Sequence, residues 1–285
     1  MPDSPAKNLF DVQKWNARLP ELSKTYQENQ PFPNIELADF LDEKLIQKVV
    51  DEFPKPGDTN WIQYKHINEN KLGKNKRSEF PPLIGQLIDE LNSPEFVAWL
   101  CELTGIADLR SDVTLEGGGM HQTELGGFLN VHADFITHHH HKHWIRTCNL
   151  ILYLNPGWDE AWGGGLELWD KDMQSCVKRV PPFCNRALIF NTGAKSFHGY
   201  PDPIQCPSDT TRKSLALYYY VIVDEPVKVP RSTNYQARPG EGMLKRSLIW
   251  LDNKALGVYS WAKKKFGLSD GFASRVLATL FRKIK

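Results

Sequence analysis

The chain has 285 residues, a formal net charge of +1, and 41% apolar and 24% charged residues. That is the profile of a soluble globular protein with chain enough for one large or two modest domains. No apolar run approaches about 18 residues, which argues against a transmembrane helix. The residues from Met1 to Lys7 lack the apolar core of a signal peptide. The five cysteines (Cys101, Cys148, Cys176, Cys184, Cys206) are odd in number and show no CxxC spacing. Reduced thiols and a cytoplasmic setting are therefore expected.

In chain order, residues 1–30 read as a polar leader with one short helix. Residues 31–110 read as a helix-rich support. There, Pro31-Phe32-Pro33 introduces a strand at Asn34–Leu37, followed by a helix from Asp42 to Glu52. Asp42 can cap that helix, Leu45, Val49 and Phe53 repeat at i, i+4 and i+8, and Pro54-Lys55-Pro56-Gly57 ends it. Ile84, Leu87, Ile88 and Leu91 mark a second helical region. Ser93 caps a third, which Gly105 stops after Thr104. These helices should brace one outer face of the segment that follows.

Residues 111–226 read as strands divided by Gly, Pro and Asp turns: Val113–Glu116, Gly127–Ala133, Thr147–Leu154, Leu166–Trp169, Cys176–Val180, Ala187–Phe190, Lys195–Gly199 and Ser214–Val223. Many short strands with turn signals favour a mainly β fold with flanking helices, built on a jelly roll (a double-stranded β-helix). Over 227–285 the pattern changes to a basic helical extension, with 13 Lys and Arg against 3 Asp and Glu. Lys245–Phe266 and Gly271–Ile284 read as helices, the second with an apolar stripe of Phe272, Val276, Leu277, Leu280, Phe281 and Ile284. Two destinations stay open for this end. It can pack on the body or on a second subunit as a homo-oligomer, or make peripheral contact with an anionic surface through 244–285. No nucleic-acid motif accompanies the basic residues, so no nucleic-acid partner is expected.

The chemistry concentrates in Asn130-Val131-His132-Ala133-Asp134-Phe135 and, further on, Ser196-Phe197-His198-Gly199. A strand sends residues i and i+2 to one face, so His132 and Asp134 can converge on a single metal ion. His198 can join them from another strand. Two histidines and one carboxylate on one face suit Fe(II) with open positions. An HxD pair also arises by chance, and its flanks decide between the readings. One flank is the apolar strand Arg146-Thr147-Cys148-Asn149-Leu150-Ile151-Leu152-Tyr153-Leu154, stopped by Asn155-Pro156. The others are the turn Gly163-Gly164-Gly165 and the strand that Arg212-Lys213 begins.

Together these pieces resemble the prolyl-hydroxylase-like branch of the iron(II)/2-oxoglutarate-dependent oxygenases, in order from Asp112 to Asp224. The resemblance implies Fe(II), 2-oxoglutarate and O2, with ascorbate as a reductant. His132, Asp134 and His198 would be the metal ligands and catalytic centre. Fe(II), one carboxylate and dianionic 2-oxoglutarate sum to one negative charge, which a fixed cation at the distal carboxylate would neutralise. Arg212 fits, because its planar fork pairs bidentately with a carboxylate. Lys213 should face the other way. By position Tyr153 matches a tyrosine that hydrogen-bonds the same carboxylate in related enzymes, although a buried core aromatic is an equal reading. Asn149 and Ile151 share its face and should line the cavity, and Gln122 is placed on a neighbouring strand as a co-substrate or substrate contact. In related halogenases a small residue replaces the carboxylate ligand, so Asp134 favours hydroxylation. The run His138-His139-His140-His141-Lys142-His143 reads as a substrate-contacting loop at the cavity mouth rather than a second metal site. Trp158, Trp162 and Trp169 form either an aromatic platform or part of the buried core. The implied substrate is a small molecule or peptidyl group, prolyl or amino-acid-like. A sugar or lipid-linked glycan is the alternative, and a catalytically silent jelly-roll binding module the reading from another class.

Overall fold

The computed structural model describes residues 9–225 and 233–266, with 256–266 as backbone only. The expected helix Gly271–Ile284 lies outside the described residues. The elements are α1 (Val12–Asn16), α2 (Leu19–Glu28), β1 (Asn34–Leu37), α3 (Glu43–Asp51), β2 (Ile62–His66), β3 (Glu69–Lys74), α4 (Pro82–Leu91) and α5 (Pro94–Thr104). Then come β4 (Arg110–Ser111), β5 (Gly119–Thr123), β6 (Phe128–Ala133), β7 (Trp144–Tyr153), β8 (Leu166–Trp169) and β9 (Cys176–Val180). Last are β10 (Arg186–Asn191), β11 (His198–Tyr200), β12 (Arg212–Ile222), β13 (Asn234–Tyr235) and α6 (Met243–Phe266).

From β5 to β12 the antiparallel pairs are β5 with β12, β6 with β11, β7 with β10 and β8 with β9, joined by β7–β12 and β8–β11. First pairs with last and second with second-last, which is the nested connectivity of a jelly roll. Strand β3 fills the gap between the two sheets. Leu72–Lys74 pair with β5, while Glu69 and Asn70 pair with β6. The sheets therefore join into a nearly closed barrel.

Alternation along β7 and β12 divides the interior. Cys148, Leu150, Leu152, Leu215, Leu217 and Tyr219 face outward into a core shared with the helices. Asn149, Ile151, Ser214, Ala216 and Tyr218 face inward onto a cavity. The helices form as their caps direct. Asp42 accepts the backbone N–H of Lys44 and Leu45, Ser93 accepts that of Phe96, and Gly105 ends α5 in the left-handed region.

Three expectations need correction. The described part of the polar leader is not peripheral: Phe10, Trp15, Leu19, Leu22 and Tyr26 are buried against the helical core. Their spacing of three to five residues gathers sparse apolar groups onto one side, so a polar average hides an anchored face. Val113–Glu116 is a turn, because the Asp112 carboxylate accepts the N–H of Thr114 and of Glu116, each at 2.8 Å, and curls the chain. The strand begins only at Gly119. Finally, the helix-rich support contributes β2 and β3, beside the expected strand β1, to the barrel's sheet.

The start of α6 packs on the body. Ile249 and Asp252 are buried, and Asn253 exchanges two hydrogen bonds with the Tyr235 backbone, at 3.1 and 2.8 Å. Leu244, Trp250 and Leu251 on its other side are exposed. Among the described residues no helix is long and apolar enough to cross a membrane.

Candidate metal and co-substrate site

His132 and His198 are directly opposed in the β6–β11 register, which brings their rings to 4.5 Å between centroids. Asp134 follows two residues after His132 on the same face. Its Oδ1 lies 3.5 Å from His132 Nε2 and its Oδ2 3.5 Å from His198 Nε2. The ligating atoms of the three lie within 4.8 Å of one another, the one such group among the described residues. Each histidine donates its Nδ1–H to a backbone carbonyl two residues earlier, Asn130 and Ser196 respectively, at 2.9 Å. That fixes the tautomer and leaves Nε2 as the free lone pair. Burial lowers the His198 pKa to about 4, so its imidazole is neutral at physiological pH. Gly199 explains the close strand approach: a Cβ there would sit 2.8 Å from the Leu129 carbonyl oxygen.

Asp134 is held from behind. Its Oδ2 accepts Asn149 Nδ2 at 2.9 Å and lies 2.8 Å from Arg146 Nη2. Arg146 also donates from Nε to Asn149 Oδ1 at 2.8 Å and stacks on Tyr218, 3.3 Å from the ring centroid. Burial alone would raise the Asp134 pKa, but Arg146, with His198 and His132, holds it well below the usual carboxylate range. Arg146 had no assigned role in the sequence, and strict alternation sets it opposite Asn149. The β7–β12 register slips here: Tyr219 faces Cys148 while Tyr220 faces Arg146. Thr147 is the extra residue of a β-bulge, which turns Arg146 to the inner face.

Arg212 is buried at the far side of the cavity, donating from Nε to the Gly164 carbonyl at 2.7 Å. Its guanidinium lies over the rings of Tyr200 (4.1 Å) and Tyr153 (5.1 Å). Among the described residues it has no carboxylate partner. Gly164 adopts φ +74°, and a Cβ there would stand 3.1 Å from the Arg212 side chain, so only glycine brings the carbonyl this close. The Tyr153 hydroxyl is buried without a hydrogen-bond partner among the described residues. Burial pushes its pKa up to about 12, keeping it a proton donor. Asn149 and Ile151 line the cavity. Lys213 points away, with Nζ 3.4 Å from the Thr211 carbonyl.

Gln122 does not reach the cavity. It pairs with Lys213, whereas Thr123 pairs with Arg212 and His121 with Ser214. Directly opposed residues share a face, so Gln122 lies with Lys213 on the outside. There it is satisfied by the Pro54 carbonyl at 3.2 Å and the Thr211 hydroxyl at 3.0 Å. His121, its neighbour, takes the inner position.

The cavity has a volume of about 240 Å³. Its wall includes residues that patterning did not flag, notably Tyr64, Glu69, Lys71, His121, Tyr218 and Tyr235. No local motif marks them, since they meet only when β2, β3, β5, β12 and β13 assemble. The histidine run folds onto carboxylates at the rim. His138 Nδ1 accepts the N–H of His140 and His141, its Nε2 faces Asp112 at 3.4 Å, and His139 lies 2.9 Å from Glu116. His139 reaches the cavity wall. Trp158 and Trp169 are buried, their indole N–H groups bonded to Gly163 and Glu167, and neither they nor Trp162 line the cavity.

Residues 118–220 match the 2OG-Fe(II) oxygenase superfamily. The segment belongs to that superfamily. The match opens at β5 and closes within β12, so it spans the eight jelly-roll strands. A mouse relative, prolyl 3-hydroxylase OGFOD1, is 28% identical over 161 residues, 55% of this chain. The aligned region spans 26% of that relative's length. Two solved structures share the fold. A Trichoplax adhaerens prolyl hydroxylase, solved with a hypoxia inducible factor peptide, has a TM-score of 0.50 and 15% identity, covering 75% of this chain and 96% of that one. A Phytophthora capsici prolyl 4-hydroxylase has a TM-score of 0.51 and 16% identity, covering 99% and 88%. The fold is thus that of the prolyl-hydroxylase-like branch. The superfamily's iron(II) and 2-oxoglutarate suit the donors present: two imidazole lone pairs and a carboxylate on one face, and a buried cation with an unpartnered phenol beyond.

Proposed function

We propose that the chain is an iron(II)- and 2-oxoglutarate-dependent hydroxylase acting on a prolyl or amino-acid-type substrate. The observation that carries this reading is the convergence of His132, Asp134 and His198 in a cavity whose far side holds Arg212 without a carboxylate partner among the described residues. When bound, iron(II) with 2-oxoglutarate supplies dioxygen activation coupled to release of succinate and CO2. His132 and His198 act as neutral donors with fixed tautomers. Arg146 and Asn149 hold the Asp134 carboxylate ionised and oriented. Arg212 pairs with the distal carboxylate of 2-oxoglutarate, and Tyr153 donates its hydroxyl proton to the same group. Ile151, Leu166 and Ala216 supply an apolar wall that limits water near the reacting centre. The carboxylate ligand Asp134 favours oxygen insertion over halide transfer. Support for the prolyl or amino-acid class comes from the names of the relatives alone.

The test is succinate release from 2-oxoglutarate with Fe(II), first without primary substrate. Prolyl peptides and amino acids are then screened under isotopically labelled dioxygen. Uncoupled turnover and one labelled oxygen in a product are expected. No turnover together with no iron binding would favour a silent jelly-roll binding module.

A further inference from the structure

The β2–β3 hairpin and α6 assemble a row of charges that ends at the cavity wall and that the iron chemistry does not use. Asp252 of α6, His66, Glu69 and Lys71 alternate in sign. His66 Nδ1 lies 3.0 Å from Asp252 Oδ2 and its Nε2 2.8 Å from Glu69 Oε1, while Lys71 Nζ lies 3.1 Å from Glu69 Oε2. Burial pulls the His66 pKa down, but hydrogen bonds to Asp252 and Glu69 outweigh it and raise it to about 9. The imidazole is therefore charged at neutral pH, and the row balances with two positive and two negative groups. Both Glu69 oxygens are engaged. Lys71 ends the row at the cavity wall, its side chain 17% exposed and its ammonium 5.4 Å from the Tyr64 ring centroid. An ammonium has three N–H donors. Among the described residues, Glu69 is its ion partner, so donor capacity remains on the cavity side.

The carboxylates of the wall offer nothing comparable to a substrate cation. Asp134 belongs to the metal centre, Glu69 is held by His66 and Lys71, and Glu116 is engaged by His139 and His140. Lys71 and Arg212 are also separate sites. They come from β3 and β12, on either side of β5, whose His121 pairs with Gly73 and Ser214, two residues along from Lys71 and Arg212. Burial, with Lys71 nearby, pushes the His121 pKa down to about 3, so β5 adds no charge to this wall through His121.

We propose that Lys71 anchors the primary substrate through a carboxylate, and that the substrate carries no free ammonium beside it: an N-acylated amino acid or the C-terminal residue of a peptide. This rests on the hydroxylase reading of the same cavity. The Asp252–His66–Glu69 row positions the anchor and ties its geometry to α6.

The experiment is calorimetric titration of full-length protein loaded with Mn(II) and 2-oxoglutarate, using N-acetyl-L-proline, N-acetyl-L-prolinamide and L-proline as probes. The acetylated acid should bind about tenfold or more tighter than its amide, as expected for a charge-assisted hydrogen bond. It should also bind more tightly than zwitterionic proline. Lys71→Met should erase the acid–amide difference and Lys71→Arg should keep it, with 2-oxoglutarate affinity unchanged in both. Equal binding of acid and amide to wild-type protein, or no binding of either, overturns the anchor without needing any variant. A preference that survives Lys71→Met overturns it too. Loss of 2-oxoglutarate affinity in Lys71→Met would make Lys71 the co-substrate anchor and end the proposal. Wild-type protein that takes up neither Mn(II) nor 2-oxoglutarate would instead strike the hydroxylase reading itself.

Discussion

The two walls of the cavity are built by different rules. One carries His132, Asp134, His198, Asn149 and Arg212 on jelly-roll strands, and these residues lie inside the superfamily match at 118–220. The other carries Glu69 and Lys71 on β3, held through His66 and Asn68 to Asp252, contacts that span 186 and 184 residues of chain. The metal wall needs ligands at fixed relative positions, which alternation and direct cross-strand register supply. The β3 wall needs only a charge at the right depth, which a hairpin and a helix from opposite ends of the chain provide together. On the proposed function and the proposed Lys71 anchor, reaction and selectivity rest on separable parts of one barrel.

The largest effects should fall on the metal wall. His132→Ala, Asp134→Ala and His198→Ala should each abolish 2-oxoglutarate turnover, with folding retained by circular dichroism; near wild-type succinate release in any of them would remove that residue from the triad. Next in size, Arg212→Ala should raise the apparent constant for 2-oxoglutarate by about 30-fold or more, the cost of leaving one member of a buried charge pair alone. Lys213→Ala, on the outer face, should change it little. The opposite ranking would exchange the two faces of β12. A smaller effect is expected behind Asp134: Arg146→Met should weaken iron affinity by roughly 10- to 100-fold, as outer partners of metal ligands do. Unchanged affinity in a metal titration would reduce Arg146 to packing.

The β3 wall should answer to pH. The His66 pKa rises from an ordinary 6.5 to about 9 in the folded protein. Its contribution to stability is therefore complete below about pH 6.5 and is lost as pH climbs through 9. Asp252→Asn should flatten that decline and lower neutral-pH stability by on the order of 1–3 kcal/mol. Urea unfolding of both proteins across this window makes the comparison. Parallel curves would mean that His66 and Asp252 are not coupled.

Much of the metal wall was legible in the sequence, for a local reason. The HxD spacing needs only the two-residue period of a strand, and the same counting sets Asn149 and Ile151 on the face of Tyr153; Tyr153 and Arg212 themselves came from the family resemblance. The same counting failed where pairing changes parity. Gln122 sits outside because β5 faces β12 with Gln122 against Lys213. Arg146 sits inside because the bulge at Thr147 inserts one residue into β7. Neither register nor bulge has a signature in a single strand, since both are properties of two strands together.

The amino-acid order by itself determined the helix caps at Asp42, Ser93 and Gly105, the strand-rich middle and the His132–Asp134 pair, because each depends on neighbours a few residues apart, whereas His198 reaches that pair through the β6–β11 register. Tertiary structure decided that Phe10, Trp15 and Tyr26 are core, that β3 closes the barrel, and that Lys71 stands in the cavity at the end of a row begun by Asp252. Those outcomes require surfaces far apart in the chain to meet. Burial then makes an ion pair or an aromatic face matter, and periodicity along one segment carries no record of it.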